Sequence, residues 1–146
     1  MIRTTMIAVA AILAASVASA APGDEEGQKA ALVERFTPFD QAAQGAWEAT
    51  TPEPLYLAAA TDKSVAAPLT LKPGAYRVVV LCDCGQMEVT LVGPDSSPLP
   101  SERADDRRAM YSLDVHAAGA YLAGIDMNDC GQAKCEIAVK VYRKKD

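Results

Sequence analysis

The sequence predicts a mainly β protein, an antiparallel β-sandwich of about six or seven strands with a short helical segment at its N-terminal side. Short alternating apolar runs separated by turn residues fill the chain from Leu69 onward. A second observation is a unit that occurs twice. Gly-Ala-Tyr opens a run at 74–76 and again at 119–121, and the two runs lead to Cys-Gly-Gln at 84–86 and 130–132. Two copies of one strand–turn–strand–loop–strand unit predict a sandwich with internal pseudo-symmetry.

The first twenty residues have the pattern of a secretory signal peptide. Arg3 supplies a positive charge, residues 6–17 are almost continuously apolar, and Ala18-Ser19-Ala20 is a small-residue cleavage motif. Cleavage between Ala20 and Ala21 leaves about 126 residues, the size of one ordinary domain. We therefore expect a periplasmic or secreted protein, and the apolar run is too short to predict a membrane anchor.

A leader and a helical segment precede the β region. Residues 21–27 are charged and contain Pro and Gly, which predicts a mobile leader. Residues 28–68 predict a helical segment followed by an extended cover over the sheet. Apolar side chains fall at helical spacing at Leu32, Phe36, Phe39, Ala43 and Trp47. Such a stripe could bind a partner, but it more often packs against its own domain, and we predict the latter.

A proline divides this stripe into two short helices. Thr37 has the side chain of an N-cap, Pro38 suits the first helical position, and Asp40 completes a pattern like a capping box. Further along, Pro54 limits residues 55–57 to an edge strand or an extended cover, because proline cannot donate a backbone hydrogen bond.

The β-sandwich domain is predicted at residues 69–143. Its six strands are expected near 69–71, 76–81, 87–92, 110–115, 121–127 and 135–142. Residues 93–97, Gly-Pro-Asp-Ser-Ser, are turn chemistry, and residues 99–108 form the longest loop. Short antiparallel strands at this spacing indicate a jelly-roll or immunoglobulin-like sandwich.

The order of these motifs resembles the bacterial pre-peptidase C-terminal domain, in particular a periplasmic subset with cysteines in two loops. The resemblance covers about residues 69–142 and is carried by the two Gly-x-Tyr strands, the strand and turn at 87–95, and Tyr111-Ser112-Leu113. The family's paired aspartates are replaced here by Met87-Glu88 and Thr90. The resemblance implies a free-standing, non-catalytic β-sandwich of the kind that accompanies secreted proteases.

Four cysteines, at 82, 84, 130 and 135, predict disulfides in an exported chain. One possible pairing is local, 82–84 with 130–135; the other joins the two loops. A Cys-x-Cys ring is close to the upper distance limit in an extended strand, and the repeat places the two loops at the same end of the sandwich. This geometry favours bridges between the loops, with the local pairing as the alternative.

The cysteines also raise two functional alternatives. A strained bridge between Cys82 and Cys84 could exchange with partner thiols, which would make the protein redox-active. No thioredoxin-like βαβ pattern surrounds this pair, so structural disulfides are the favoured interpretation. A four-cysteine zinc site is disfavoured by the spacing of the cysteines and by the compartment.

The sequence contains no catalytic constellation. The single histidine, His116, lies in a predicted turn, and no nucleophile elbow or phosphate loop is present. We expect no enzymatic activity, no cofactor and no resident metal. Calcium coordination by Asp83, Asp126 and Asp129 is an alternative that we do not favour, because the dense spacing of a calcium loop is absent.

The candidate binding residues lie in the two cysteine loops. They are Asp83, Gln86, Asp126, Asp129 and Gln132. Tyr76 and Tyr121 occupy equivalent positions after the two glycine turns, and we predict a structural role for them, with the ring packed and the hydroxyl hydrogen-bonded.

The functional prediction is an exported, non-catalytic binding or interaction module of unknown ligand. A net charge of −5 argues against nucleic acid as a partner. We expect an envelope glycan or protein as the partner, and a monomer. The alternatives are a structural or stress-related envelope protein and a redox-active dithiol protein that uses Cys82 and Cys84.

Overall fold

The computed structural model describes residues 22–60, 63–99, 102–104, 107–130 and 134–146. The predicted signal peptide lies outside the described residues. The helices and strands are α1 (Pro22–Glu34), α2 (Thr37–Ala43), β1 (Trp47–Ala49), β2 (Leu55–Ala60), β3 (Ser64–Leu71), β4 (Gly74–Cys82), β5 (Gln86–Val92), β6 (Glu102–Ala104), β7 (Arg108–Val115), β8 (Gly119–Asn128) and β9 (Lys134–Lys144).

The strands form two antiparallel sheets, and the predicted fold class is confirmed. Sheet A has five strands: β1 and β2 pair with successive parts of β9, β4 lies on the other side of β9, and β7 lies beyond β4. Sheet B has the order β3, β8, β5, β6. The apolar alternation of the strands turns one face of each sheet toward the other, because successive side chains of a strand point to opposite faces.

The repeated unit produces the pseudo-symmetry that the sequence predicts. The central strand of the first unit, β4, lies between β7 and β9, and the central strand of the second unit, β8, lies between β3 and β5. Gly74 lies opposite Val115, and Gly119 lies opposite Leu71. Each unit therefore supplies the neighbours of the other unit's central strand, so the two units interleave.

The equivalent tyrosines have the structural role that the sequence predicts. Tyr76 and Tyr121 are buried. The hydroxyl of Tyr76 accepts a hydrogen bond from the backbone N–H of Lys72 at 3.2 Å, and the hydroxyl of Tyr121 donates to the carbonyl of Ala117 at 3.1 Å. In both units, the ring fills the core and the hydroxyl holds the turn four residues earlier.

The main core lies between the sheets, and a second apolar cluster lies on the outer face of sheet A. In the second cluster Leu32, Phe36 and Ala43 of the helices pack against β4 and β9. Full burial of Phe36 contributes about 2–3 kcal/mol. The predicted packing of the helical stripe on its own domain is confirmed. This cover also explains why β4 and β9 are buried on both faces.

The N-terminal cap of α2 differs from the prediction. The N-cap residue is Phe36, with no side-chain hydrogen bond to the cap, and α2 already includes Thr37. Asp40 does not complete a capping box. Its carboxylate accepts hydrogen bonds from Lys140 and Tyr142 of β9 instead, each at 2.7 Å. The tertiary partners of Asp40 thus replace the local one.

The described part of the chain has more strands than the six or seven expected. β1 and β6 have three residues each. β1 lies where the sequence predicts the end of a helical stripe, and β6 lies where it predicts a polar loop. α1 begins at Pro22, within the predicted leader, and β1, β2 and the start of β3 lie within the predicted cover. Trp47 belongs to β1, and its ring stacks on the guanidinium of Arg77, 4.2 Å from ring centroid to carbon.

Candidate binding cleft

The disulfides pair locally, and the favoured prediction of bridges between the loops is wrong. Cys82 is bonded to Cys84 and Cys130 to Cys135, with 5.3 Å between the Cα atoms of each pair. The chain bends directly after β4, at residues 83–85, and this bend shortens the Cys-x-Cys distance below that of an extended strand. Two disulfides indicate an oxidising, extracytoplasmic compartment.

The two cysteine loops do lie at the same end of the sandwich, as predicted, but hydrogen bonds join them. The N–H of Asp83 donates to the carbonyl of Glu136 at 3.2 Å, and the N–H of Glu136 donates to the Asp83 carboxylate at 2.7 Å. The N–H of Gly85 donates to the carbonyl of Asp129 at 2.7 Å. Polar contacts therefore hold the loops in register.

Burial argues against the redox alternative. The exposed fraction is 0% for Cys82, Cys84 and Cys135 and 4% for Cys130. Thiol–disulfide exchange requires a thiolate to reach one of the sulfur atoms, so buried bridges exchange slowly. The cysteines act as core residues here, within the apolar cluster between the sheets.

Four of the five predicted binding residues of the cysteine loops lie in the described part of the chain, and their role in binding stays a prediction. Asp83 is half-buried and holds β9, Gln86 begins β5 opposite Asn128, and Gln132 lies outside the described residues. Asp126 accepts a hydrogen bond from the Ser64 hydroxyl. Asp129 is exposed at the bend after β8.

The carboxylates considered for calcium are not arranged as a metal site. Across the ranges that the structure describes, no group of three or more His, Cys, Asp or Glu side chains is arranged to hold a metal ion. Asp83 and Asp126 are engaged with separate partners, on β9 and β3.

A cleft lies between the helices and the outer face of sheet A. Its volume is about 730 Å³. The helices cover β9 and part of β4, but leave β7 uncovered, so the cleft has a wall of helix and a floor of strand. Apolar side chains provide most of its surface: Pro38, Phe39, Ala42, Val79, Leu81 and Met110. Met110, the third residue of β7, is 45% exposed and so presents apolar surface to the cleft.

Three arginines and one glutamate, Glu34, are the charged residues that line the cleft. Arg35 is fixed at the end of α1, since its guanidinium donates to the carbonyls of Cys82 at 2.7 Å and Arg107 at 2.9 Å. Arg77 is oriented by its stacking on Trp47. Arg108 is exposed at the start of β7. The cleft is thus locally cationic on a protein of net charge −5.

Sequence reasoning missed this cleft because its lining comes from five elements, α1, α2, β4, β7 and β9, most of which are distant from one another in the chain. The available signals were weak. Arg77 interrupts an otherwise apolar strand, and Met110 begins an alternating run on the side that the burial pattern of β7 leaves outward. Neither signal shows that α1 and α2 lie across β9 and β4.

A buried polar cluster lies on the other side of the same helices. The ammonium group of Lys140 bonds the Asp40 carboxylate and lies 5.8 Å from the Phe36 ring centroid and 5.6 Å from that of Tyr142. Burial, together with the hydrogen bond to the Asp40 carboxylate, raises the pKa of Tyr142 far above its ordinary value. This cluster attaches α2 to β9 and so sets the position of the cleft wall.

None of the helices in the described residues is both long and apolar enough to span a bilayer.

Comparison with known proteins gives a fold likeness alone. No family model and no curated protein sequence matches the chain significantly. One similar solved structure is a family two carbohydrate esterase from Cellvibrio japonicus, at 10% identity and TM-score 0.38, with 72% of this chain and 32% of that chain covered. Another is the carbohydrate-binding module CBM36 in complex with calcium and xylotriose, at 12% identity and TM-score 0.35, with 70% and 96% covered.

This chain therefore spans about a third of the length of the esterase. At such identities and TM-scores, neither likeness supports a conclusion about this chain. The resemblance to pre-peptidase C-terminal domains stays a prediction.

Proposed function

We propose that this protein is an exported, non-catalytic binding module whose cleft takes a small ligand with an apolar body and an anionic group. One observation carries the proposal: an apolar cleft of about 730 Å³ whose described lining includes three arginines and a single acidic residue. Ligand pockets commonly measure roughly 300–1,000 Å³ and combine an apolar lining with a few placed polar groups.

The two parts of the ligand follow from the two parts of the lining. Met110 on the floor and Pro38, Phe39 and Ala42 on the wall offer accessible apolar surface, which favours an alkyl chain or a ring system. The guanidinium group of Arg77 favours a carboxylate, sulfonate or phosphate, because a planar guanidinium can donate two parallel hydrogen bonds to such groups. A neutral sugar would satisfy this guanidinium group less well than an anion.

Export and the absence of catalysis belong to the same proposal. The disulfides support an oxidising compartment, and together with the signal-peptide pattern of residues 1–20 they support the periplasm. The described lining of the cleft offers no Ser, Cys or His that could act as a nucleophile or as a histidine base. Binding alone is therefore proposed, with no cofactor.

The test uses the fluorescent probe 8-anilinonaphthalene-1-sulfonate, which joins apolar rings to a sulfonate. We expect the mature protein, residues 21–146, to bind this probe, and Met110→Asp to raise its Kd by about tenfold or more, because a carboxylate on the floor repels the anion and removes apolar surface. Fluorescence titration measures both values.

Leu122→Asp is the matched control. Leu122 has the same 45% exposure as Met110 but lies on β8 of sheet B, and its substitution should leave the Kd unchanged. Equal losses in both variants would contradict the proposal, as would probe binding that ignores Met110→Asp.

A second titration separates the anionic group from the apolar body. The neutral probe N-phenyl-1-naphthylamine has the same ring system without the sulfonate. Weaker binding of the neutral probe, with the difference lost in Arg77→Gln, is the expected result. Equal binding of the two probes would refute the role of the arginines. Retention of soluble envelope glycan by the protein, unaffected by Met110→Asp, would place the function elsewhere on the molecule.

A further inference from the structure

The strand β7 presents a long edge of sheet A. Its eight residues pair with β4 on one side, and no strand in the described part of the chain pairs with its other side. β6 lies beside β7, but its hydrogen bonds are made to β5 in sheet B. The unpaired backbone groups of such an edge can accept another strand.

Most of the other described edges have features that discourage strand addition. β1 and β6 are only three residues long, and β3 contains Pro68, which cannot donate a ladder hydrogen bond. β2 has six residues without charge or proline, but it lacks the oppositely charged ends that β7 has in Arg108 and Asp114. The centre of β7, Ala-Met-Tyr-Ser-Leu at 109–113, has neither charge nor proline.

The charges at the ends of β7 are complementary to those of a second, antiparallel copy. Arg108 and Asp114 are exposed and lie on the same face, because six residues separate them along the strand. If two copies of β7 pair about Tyr111, Arg108 of each copy lies directly opposite Asp114 of the other. Met110 then faces Ser112, and each charged pair occurs twice by symmetry.

We propose that two copies of this protein associate through antiparallel pairing of their β7 strands, in the register that opposes Arg108 to Asp114. Sheet A then continues across the two-fold axis as one sheet of ten strands. The pairing adds about six to eight backbone hydrogen bonds, depending on which residues of β7 point their backbone groups outward. This inference differs from the monomer that the sequence predicts.

The dimer changes the cleft as well as the oligomeric state. In one copy, the helices wall the cleft on one side, and the floor ends at the β7 edge. In the dimer the two floors join, and the helices of both copies wall a single trough. The two β9 strands are separated by five strand spacings, about 24 Å. The helices lie over these strands and are about 10 Å wide, so a gap of roughly 14 Å remains between the helices of the two copies. A dimer would thus bind a longer ligand than one copy could enclose.

The test is sedimentation velocity of the mature protein without ligand, from about 1 to 200 µM, a range that covers the dissociation of weak, transient dimers. We expect a concentration-dependent dimer. Arg108→Asp and Asp114→Arg should each raise the dimer Kd by about tenfold or more, since two attractive pairs become two repulsive ones. The double variant R108D/D114R should return the Kd to within about threefold of the original, because the pairs form again with their signs exchanged.

Lys63→Asp is the control for the change of charge. Lys63 is exposed between β2 and β3, at the opposite side of the sandwich, and its substitution should not shift the Kd. Circular dichroism identifies any variant that fails to fold. A protein that stays monomeric throughout the concentration range, a dimer insensitive to both single variants, or a folded double variant that stays monomeric would each overturn the proposal. Because no ligand is present, these outcomes are independent of the proposed binding function.

Discussion

Asp40 shows how a single residue can have a local pattern and a different tertiary role. Its position after Thr37 and Pro38 predicts a helix cap, yet its carboxylate bonds Lys140 and Tyr142, 100 and 102 residues further along the chain. Without a counter-charge, the buried ammonium group of Lys140 would be strongly destabilising. The end of α2 is near solvent, so water can satisfy its backbone groups in place of a side-chain cap. Sequence proximity could not reveal this competition.

Tyr142 gives the protein a pH dependence that can be measured. Its pKa is raised by burial and by the Asp40 carboxylate, so the folded protein keeps the phenol protonated when the unfolded chain ionises. The stabilisation is complete below the ordinary tyrosine pKa of about 10 and falls above it by about 1.4 kcal/mol per pH unit.

We therefore expect the effect of Tyr142→Phe on the free energy of unfolding to shrink as the pH rises. At pH 7 the variant loses the hydrogen bond to Asp40 and should be less stable by about 1 kcal/mol. Because phenylalanine does not ionise in the unfolded chain, this difference should close near about pH 11. Urea unfolding at several pH values measures it, with fluorescence of Trp47, the single tryptophan, as the signal. A difference that stays constant from pH 7 to pH 11 would contradict the assignment.

At the scale of elements, α2 is attached to sheet A by the Asp40–Lys140 pair. The side chain of Lys140 is 8% exposed and that of Asp40 is 45% exposed, with 2.7 Å between nitrogen and oxygen. Asp40→Ala should cost about 2 kcal/mol, because it leaves a buried charge without its partner.

The matched variants isolate this effect. Lys140→Met removes the charge while keeping the apolar stem, and the double variant D40A/K140M should recover most of the stability that Asp40→Ala loses. Chemical unfolding of the four proteins gives the coupling free energy. Additive losses would show that Asp40 stabilises α2 without Lys140.

The turns of β5 and β8 meet at Gly119. A Cβ atom at this position would lie 2.7 Å from Cγ of Pro94 and 3.0 Å from its Cβ, so the turn 93–97 would have to move. Gly119→Ala should destabilise the protein by about 1–3 kcal/mol. Gly124→Ala, on the same strand, meets only an ordinary contact at 3.6 Å and should change stability by about 0.5 kcal/mol at most. Thermal unfolding compares them, and equal effects would argue against the contact with Pro94.

The long strands could be predicted from the sequence, whereas the shortest ones could not. The long strands β4, β8 and β9 carry apolar runs that any buried strand would need, and the sequence locates them within a few residues. β1 and β6 are too short for periodicity to appear. Trp47 continues a helical spacing by coincidence, since its ring serves to stack on Arg77 across sheet A.

At the scale of the whole molecule, the sandwich and its pseudo-symmetry could be predicted, but the disulfide pairing and the cleft could not. The repeat correctly places both cysteine loops at one end, yet pairing depends on the local bend after Cys82, which strand patterns do not show. The cleft depends on where two helices lie across a sheet. That position results from contacts between residues such as Phe36 and Val79, which nothing in the local pattern connects.

The interleaving of the two units also controls when the chain can fold. β9 follows every strand that it pairs with, and β4 has no neighbour in sheet A until β7 and β9 have been made. At a synthesis rate of about 5–20 residues per second, the seventy or so residues from Gly74 to Lys144 take roughly 4–14 s to appear. Sheet B lacks a central strand until β8 has been made, and sheet A lacks one until β9 has been made, so the sandwich cannot form until nearly the whole chain is available.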